Sequence, residues 1–310
     1  MGSVQVFSCF SGIGGFEHGI INASKTTNTE VEIIGHSEID KFAESVYMRH
    51  YPESKNYGDI TKISTDNIPD FTILVGGFPC QTFSSIGKRA GFADPRGKLF
   101  LELARILKAK RPRLFVFENV KGLLSQSDGQ AFASIVSMFA ELGYDCEWSV
   151  LNSVNFATPQ TRERVIIVGS LREQPIGQIF STDWTQETRT VLESDVIVSY
   201  SRTRDKAVRK NTVNTITASY RGVGGYNEPA VLCDKRIRRL TPLECEKLQC
   251  FPDNWTQYGN NGKPISDSQR YKMCGNAVCT TMIQAVFEKI FLYLQLEKGL
   301  GESPRSVHLG

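Results

Sequence analysis

The segment GGFPCQTFSS contains a cysteine, Cys80, at the point where an apolar run ends and a polar loop begins. Structural cysteines more often lie inside apolar runs, so this position suggests a thiol that reacts. Glu118 lies near the end of another apolar run, LFVFEN, and Arg162 and Arg164 alternate in the extended segment TPQTRERVIIVG. These four side chains indicate covalent catalysis by a thiolate, with a carboxyl group and guanidinium groups beside it.

The four groups fit one demanding reaction, the methylation of carbon 5 of a cytosine ring. That carbon is a poor nucleophile until a thiolate adds to carbon 6, and contact with ring nitrogen 3 stabilises the electron-rich product. Glu118 is the candidate for the nitrogen 3 contact. Arg164 is the candidate to hold the carbonyl oxygen of the base and to lower the pKa of the thiol. Carbon 5 then takes a methyl group from a sulfonium donor, and loss of the carbon 5 proton expels the cysteine.

A glycine-rich turn in FSCFSGIGGFEHG follows the first apolar run and predicts a nucleoside pocket. Glycines there let the backbone approach a ligand at the start of a helix. Glu38 ends the second apolar run, where a carboxylate can hold ribose hydroxyls, and Asp59 precedes the third, where it can accept from an adenine amino group. The turn lacks the full dinucleotide fingerprint, so these residues alone fit an oxidoreductase as well as a methyl-donor enzyme.

Apolar runs that alternate with helical patterns predict the elements that position these residues. The predicted strands are VQVFSC, VEIIGHSE, TILVGG and LFVFEN, with CEWSVLN and VIIVGS later in the chain. This pattern predicts an α/β fold, a parallel sheet with helices on both faces, whose carboxyl edge gathers Cys80, Glu118 and the glycine turn. From about residue 171 the sequence is polar and basic without helical periodicity, which predicts a smaller domain of short strands and loops.

The composition is that of an ordinary globular protein of 310 residues, with 40% hydrophobic and 22% charged residues. No secretory pattern and no run long enough to span a membrane is evident, which predicts a cytoplasmic protein without a membrane partner. The eight cysteines lack metal-site spacing, so no metal cofactor is expected. The net charge is only +3, but basic clusters at 202–210, at 235–239 and after Cys80 indicate a nucleic-acid partner.

The order of these motifs resembles that of the DNA (cytosine-5)-methyltransferase family. The matching segments are FSGIGGF, EID, GDI, GGFPCQTFS, FENVKGL, QTRERV, RRLTPLECEKLQCFPDNW and YKMCGNAV. The resemblance implies a Rossmann-like methyltransferase sheet and S-adenosyl-L-methionine as the cofactor. It implies that Cys80 is the nucleophile, that Glu118 contacts the base, and that Arg162 and Arg164 support them. The implied cofactor-binding residues are Phe10, Gly12, Ile13, Gly14, Glu38, Ile39, Asp59, Ile60, Phe78, Pro79, Leu99, Asn276 and Val278.

The resemblance also implies duplex DNA as the substrate, with the target base extruded so that the thiol reaches the face of the ring. The implied domains are a catalytic domain at 1–180, a strand-rich target-recognition domain at 181–267, and at 268–310 a helix that returns to the catalytic domain and ends in a frayed tail. The loop from Gln81 to Lys98 would close on the DNA, and the basic clusters would contact phosphates. The implied DNA-binding residues are Gln81, Ser84, Ser85, Lys88, Arg89, Arg202, Arg204, Thr215, Thr217, Arg221, Gly224, Gly225, Tyr226 and Arg238.

Members of this type are bacterial or phage enzymes, and the resemblance implies a monomer. The short variable region predicts a compact recognition sequence, and a cognate restriction endonuclease that acts separately is a candidate partner. Two positions depart from the family pattern. Ser8 stands where many members carry an acid near the methionine part of the cofactor, and Ile39 replaces an aromatic residue that often stacks on adenine. Both departures predict altered cofactor affinity and retained activity.

Three alternatives stay open at the level of sequence. A relative that methylates transfer RNA uses the same chemistry but typically carries a second proline where this chain has Phe78. A catalytically silent DNA-binding regulator would not need Cys80, Glu118 and Arg164. An oxidoreductase leaves the Pro-Cys-Gln segment unexplained. The leading hypothesis is therefore a DNA (cytosine-5)-methyltransferase.

Overall fold

The structure, a computed structural model, describes residues 2–79, 98–180, 196–201, 206–209, 213–220, 229–233 and 236–301. The strands of its main sheet are β1 (Val4–Cys9), β2 (Val31–Ser37), β3 (Ile73–Gly77), β4 (Leu114–Val120), β5 (Tyr144–Asn152) and β7 (Glu163–Leu171). Within the described residues their order is β2-β1-β3-β4-β7-β5. The neighbours among β1 to β4 pair in parallel, as the apolar runs predicted.

The sheet is buried on both faces, which explains why its central strands are apolar at successive positions. In β4, Leu114 and Val116 join one core and Phe115 and Phe117 join the other. Successive residues of a strand point to opposite faces, so an uninterrupted apolar run needs a cover on each side. The first core is completed by α1 (Gly15–Thr27) and α7 (Thr280–Gly301), and the second by α3 (Lys98–Lys110) and α4 (Gln130–Glu141).

The far side of the sheet differs from the parallel arrangement that the sequence predicted. β7 is antiparallel to both β4 and β5. Between β5 and β7 the chain forms a 3-10 turn at Ser153–Asn155 and the short strand β6 (Gln160–Thr161), without a helix. A parallel neighbour needs a crossover of a dozen or more residues that is usually helical, whereas an antiparallel neighbour does not. This short connection therefore reverses β7.

A second sheet lies in the segment predicted as the target-recognition domain. Its strands are β8 (Val196–Ser201), β9 (Lys206–Arg209), β11 (Pro229–Cys233) and β12 (Arg236–Arg239). They are antiparallel in the order β12-β11-β8-β9. The short strand β10 (Val213–Asn214) pairs instead with β6, and this pairing brings the residues after β10 toward the main sheet. The domain bounds 1–180, 181–267 and 268–310 stay predictions.

The remaining helices are α2 (Lys41–His50), α5 (Pro242–Leu248) and α6 (Asp267–Asn276). α6 is followed by α7, whose residues Met282, Val286 and Ile290 are fully buried in the first core. The segment Asp267–Glu297 is long and apolar enough to cross a membrane, contrary to the sequence expectation that no run reaches that length. Because 67% of its apolar window is buried inside the protein, packing in the core accounts for this composition. The predicted frayed tail, 302–310, lies outside the described residues.

Candidate active site

A cleft of about 590 Å³ lies at the carboxyl edge of the parallel strands. Open α/β sheets bind ligands at this edge, where the chain leaves the strands. The end of β1 contributes Phe10 to the cleft, β2 contributes Glu38, β3 contributes Phe78 and Pro79, and β4 contributes Glu118. Cavities of this volume are typical of cofactor sites.

Glu118 and Arg164 form an ion pair in the cleft, with 2.7 Å between Glu118 Oε1 and Arg164 Nε. The antiparallel pairing of β4 with β7 sets this contact, since Arg164 lies opposite Val120, two residues from Glu118. The two side chains are 12% and 11% exposed, so the pair is shielded from bulk water but borders the cleft. A carboxylate and a guanidinium thus stand side by side, where the carboxylate can accept a hydrogen bond from a bound ring and the guanidinium can donate one to it.

Arg162 lines the same cleft, but its guanidinium forms hydrogen bonds with backbone carbonyl groups. Nη1 donates to the carbonyl of Ile216 at 2.9 Å, and Nη2 donates to the carbonyls of Gly275 and Ala277 at 3.0 and 2.7 Å. Burial, followed by the nearby charge of Arg164, lowers the pKa of Arg162 to about 9. Arg162 therefore positions the segment after β10 and the end of α6 against the cleft.

The end of α6 approaches the segment after β10 so closely that only glycine fits at position 275. A Cβ on Gly275 would lie 2.3 Å from the carbonyl carbon of Thr217. Thr215 and Thr217, both predicted to contact DNA, line the cleft at this junction. Thr215 Oγ1 donates to the carbonyl of Thr161 at 2.8 Å, which links this segment to β6.

The other predicted DNA-binding residues differ in what the structure describes. Arg238 forms a bidentate pair with Glu244 of α5, with N–O distances of 2.8 and 2.9 Å. Arg238 is thereby oriented by α5 and does not line the cleft. Outside the described residues lie Gln81, Ser84, Ser85, Lys88, Arg89, Arg202, Arg204, Arg221, Gly224, Gly225 and Tyr226. The predicted nucleophile, Cys80, also lies outside them.

Glu38 fixes the glycine-rich turn that follows β1. Its Oε2 accepts from the backbone N–H of Gly12, and its Oε1 accepts from those of Ile39 and Asp40, each at 2.8 Å. A carboxylate offers about four acceptor positions, so Glu38 retains capacity for a ligand hydroxyl. The geometry suits the ribose contact that the sequence predicted for this residue.

The side of the cleft near the glycine turn fits a polar nucleoside cofactor. Ser11 lines the cleft, and its Oγ is buried without a hydrogen-bond partner among the described residues. Buried hydroxyl groups are normally hydrogen-bonded, so a ligand is expected to supply the partner. No group of His, Cys, Asp or Glu in the described part of the chain has the arrangement to hold a metal ion.

The residues predicted for the cofactor pocket fall into two groups. Those that line the cleft are Phe10, Gly12, Ile13, Glu38, Phe78, Pro79, Asn276 and Val278. Those that do not line it are Gly14, Ile39, Asp59, Ile60 and Leu99.

Local structure explains the positions of the second group. Gly14 is the N-cap of α1. Ile60 belongs to the second core, the one completed by α3 and α4, and Leu99 packs against that core. Ile39 is 73% exposed, between two cleft-lining residues. Asp59 caps the 3-10 turn Ile60–Lys62.

Asp59 has a structural role in this turn. Its Oδ1 accepts from the hydroxyl of Thr61 at 2.8 Å and from the backbone N–H of Thr61 at 3.0 Å. These hydrogen bonds lower the pKa of Asp59. The predicted contact with adenine stays a prediction.

Sequence reasoning missed four polar residues of the cleft: Ser11, Asp40, Asn119 and Lys272. Asn119 Nδ2 donates to the carbonyl of Phe78 at 2.9 Å and so fixes the backbone just before Pro79. Asp40 Oδ2 and Lys272 Nζ are 2.6 Å apart and join the start of α2 to α6. The position of Asn119 beside Glu118 in the FENVKGL segment was a usable signal. No local pattern connects Asp40 with Lys272.

Comparison with known proteins identifies the family. The family model described as C-5 cytosine-specific DNA methylase matches residues 4–220 and 189–292. The Type II methyltransferase M1.ScrFI of Lactococcus lactis subsp. cremoris is 36% identical over 321 aligned positions, which cover 95% of this chain and 79% of that protein. The chain therefore belongs to the C-5 cytosine-specific DNA methylase family. It is a DNA cytosine methyltransferase and shares the S-adenosylmethionine dependence of that family.

Solved structures are similar in fold. The Entamoeba histolytica methyltransferase EhMeth has a TM-score of 0.75 at 20% identity, over 95% of this chain and 99% of that one. The S. pombe Dnmt2 methyltransferase has a TM-score of 0.70 at 17% identity, over 96% of this chain and 99% of that one. At such identities the likeness concerns the fold alone, and it confirms the predicted α/β methyltransferase fold.

Proposed function

We propose that the protein transfers a methyl group to carbon 5 of a cytosine that is flipped out of a short, specific duplex DNA sequence, with Cys80 as the nucleophile at carbon 6. The observation that carries this proposal is the Glu118–Arg164 pair, 2.7 Å apart, in the same cleft as Pro79. Cys80 follows Pro79 directly in the chain. In this proposal, the thiol of Cys80, the carboxyl group of Glu118 and the guanidinium of Arg164 act together on one ring.

In the proposed reaction the thiolate of Cys80 adds to carbon 6. A C–S bond forms, and the electron pair of the 5,6 double bond moves toward carbon 5. Glu118 contacts ring nitrogen 3 and Arg164 donates to the ring carbonyl oxygen, so both stabilise the electron-rich ring. Carbon 5 gains the methyl group as the bond from that methyl group to the donor sulfur breaks. Carbon 5 then loses its proton to solvent, the 5,6 double bond re-forms, and the C–S bond to Cys80 breaks to release the thiolate. One methyl group has then replaced one proton.

The cofactor half of the cleft holds the methyl donor. S-adenosylmethionine, when bound, supplies a methyl group on a positively charged sulfur. Glu38 is proposed to accept from the ribose hydroxyls, and Ser11 to hydrogen-bond a polar group of the cofactor. Asn276 and Val278, from the junction of α6 and α7, complete the pocket. Their place in the cleft supports this assignment.

Duplex DNA is the proposed partner. A base inside the helix presents only its edge, whereas attack on carbon 6 requires access to the ring face, so the nucleotide must leave the stack at a cost of a few kcal/mol. Thr215 and Thr217 line the cleft, which supports contact between the segment after β10 and the extruded nucleotide or its neighbours. The basic clusters are proposed to contact phosphates.

The setting proposed for the enzyme is restriction-modification, which the Type II names of its relatives support. We propose a monomer that acts in the cytoplasm of a bacterium, from a bacterial or phage gene, without a membrane partner. A cognate endonuclease would act separately on the same sequence.

A covalent trap tests the role of Cys80. Bisulfite sequencing of plasmid from cells that express the protein first supplies the target sequence. Duplex DNA with 5-fluorocytosine at that position is then expected to stay attached to the enzyme through denaturing electrophoresis, because fluorine cannot leave carbon 5 as a proton. Cys80→Ser is expected to form no adduct and to retain binding of S-adenosylhomocysteine.

Cys146→Ser is the matched control, since burial raises the pKa of the Cys146 thiol to about 12 and Cys146 does not line the cleft. This variant should be trapped like the wild type. An adduct with Cys80→Ser would exclude Cys80 as the nucleophile. Transfer of labelled methyl groups to transfer RNA and not to duplex DNA would favour the RNA-methylating relative, and DNA binding without any transfer would favour the silent regulator.

A further inference from the structure

A tryptophan from the far end of the chain holds the turn between β1 and α1. Trp255 Nε1 donates to the carbonyl of Ile13 at 2.9 Å, across 242 residues of sequence. Ile13 lies between Gly12 and Gly14, whose φ angles of 57° and 85° are left-handed. Since the turn belongs to neither the strand nor the helix, its peptide groups need hydrogen-bond partners from elsewhere.

Two further contacts hold the same turn from other directions. Glu38 accepts from the Gly12 N–H at 2.8 Å. The ring of Tyr51 covers Gly14 so tightly that a Cβ there would lie 2.4 Å from its Cε2 atom. The turn is thus held from the end of β2, from the end of α2 and, through Trp255, from the segment after α5.

The position of Trp255 is fixed by its neighbours. Its ring stacks on that of His50 with 3.5 Å between centroids and 4° between planes, and His50 Nε2 donates to the Trp255 carbonyl at 2.9 Å. The ring of His18 meets it edge-on at 5.0 Å. Burial lowers the pKa of His50, so this stack forms between neutral rings at neutral pH. Trp255 can therefore hold the Ile13 carbonyl in one place.

We propose that Trp255 is a positioning residue for cofactor binding, because its indole N–H orients the turn of residues 12–14 that lines the cleft. This inference rests on the proposed cofactor site. Gly12 and Ile13 line the cleft and Trp255 does not, so Trp255 acts through the turn. Cofactor affinity then depends on the segment after α5 as well as on the glycine-rich motif.

Trp255→Phe tests the inference, since it removes the N–H donor and keeps an aromatic ring beside His50. The loss of one buried hydrogen bond corresponds to about a tenfold rise in the Kd of S-adenosylhomocysteine, measured by calorimetry on the full chain. The KM for S-adenosylmethionine is expected to rise by a similar factor, while kcat at saturating cofactor changes less than about twofold. Trp148→Phe, which alters a tryptophan 45% exposed on β5, is the matched control and should leave both constants unchanged.

An unchanged Kd for Trp255→Phe would overturn the inference. The inference would also be overturned if Trp255→Phe lowered the Tm and weakened cofactor binding and DNA binding equally. That result would mean that Trp255 contributes only to packing. The two proposals fail differently. If the wild-type protein does not bind S-adenosylhomocysteine, the cofactor site itself is wrong and the inference falls with it.

A second measurement does not depend on the folding of Trp255→Phe. The chain has three tryptophans, so the double variant Trp148→Phe/Trp184→Phe leaves Trp255 as the sole indole emitter. We expect its fluorescence to change on titration with S-adenosylhomocysteine and to saturate at the calorimetric Kd. Emission that stays constant at saturating ligand would overturn the inference.

Discussion

Among the glutamate–arginine ion pairs of the described residues, two have nearly equal lengths but different surroundings. Glu118 Oε1 and Arg164 Nε are 2.7 Å apart, and Glu246 Oε1 and Arg270 Nη2 are 2.8 Å apart. The first pair lines the cleft and the second does not. The side chain of Glu118 keeps 12% of its surface exposed, whereas that of Glu246 is fully buried.

The neighbours of the two pairs explain their different roles. Glu246 also accepts from the backbone N–H of Thr256 at 2.9 Å and from its hydroxyl, and Arg270 Nε donates to that hydroxyl at 3.0 Å. This network ties α5 and the loop after it to α6. The Glu118–Arg164 pair instead borders a cavity of substrate size. The two pairs have nearly the same length, so length does not distinguish them, and the pair that lines the cleft is the candidate for catalysis.

The comparison predicts that Glu118→Gln acts mainly on catalysis. Glutamine keeps the size of the side chain but loses the carboxyl group that is proposed to contact the base. We expect kcat/KM for methyl transfer to fall by about a hundred- to ten-thousandfold, the range for positioned acid–base groups. The measurement is transfer of labelled methyl groups to the target duplex, with Tm recorded in parallel. A variant within threefold of the wild-type rate would remove Glu118 from the chemistry.

The comparison also predicts that Glu246→Gln acts mainly on stability. This change leaves the buried Arg270 without its nearest counter-charge, since Asp267 is 4.0 Å away and 58% exposed. Breaking a buried pair in this way costs about 3–5 kcal/mol of unfolding free energy. Denaturant unfolding measures the loss, and the rate of methyl transfer per folded molecule at low temperature serves as the control. A loss of activity with full stability would reverse the assignment of the two pairs.

The strands that carry the site were predictable because their signals are local. β1 to β4 are apolar runs, and Glu38 and Glu118 were located by where the second and fourth runs end. The direction of β7 was not predictable, because the run VIIVGS looks the same in a parallel or an antiparallel strand. The short connection between β5 and β7 determines the direction of β7. This connection could be interpreted only after β5 and β7 were known to be neighbours in the sheet.

Partners across the chain were beyond prediction for the same reason. The sequence shows Trp255 but not its hydrogen bond with Ile13. A residue type tells which hydrogen bonds a side chain can form, but not which residue will be its partner. The Asp40–Lys272 pair is a second example. Arg162 is a third, since its sequence position did not indicate that its guanidinium donates to three backbone carbonyls. Such contacts depend on how whole elements pack.

Glu17 extends the comparison to a buried glutamate with no arginine or lysine paired to it among the described residues. It is fully buried, and the hydroxyl of Tyr47 donates to its Oε1 at 3.2 Å. Burial raises the pKa of Glu17 above the ordinary value. The stabilising contribution of such a group is fully present below the pKa of the unfolded state and is lost as the pH rises through the pKa of the folded state.

Glu17→Gln is therefore expected to stabilise the protein in a pH-dependent way, because glutamine cannot ionise and still accepts from Tyr47. The Tm of the variant should exceed that of the wild type by roughly 2–4 °C at pH 8, and the difference should shrink toward pH 5. Glu30→Gln, which changes an exposed carboxyl group just after α1, should give a small difference at every pH. A constant difference for Glu17→Gln would mean that burial does not raise this pKa. In that case the absence of a guanidinium partner would not make the stability contributed by Glu17 depend on pH.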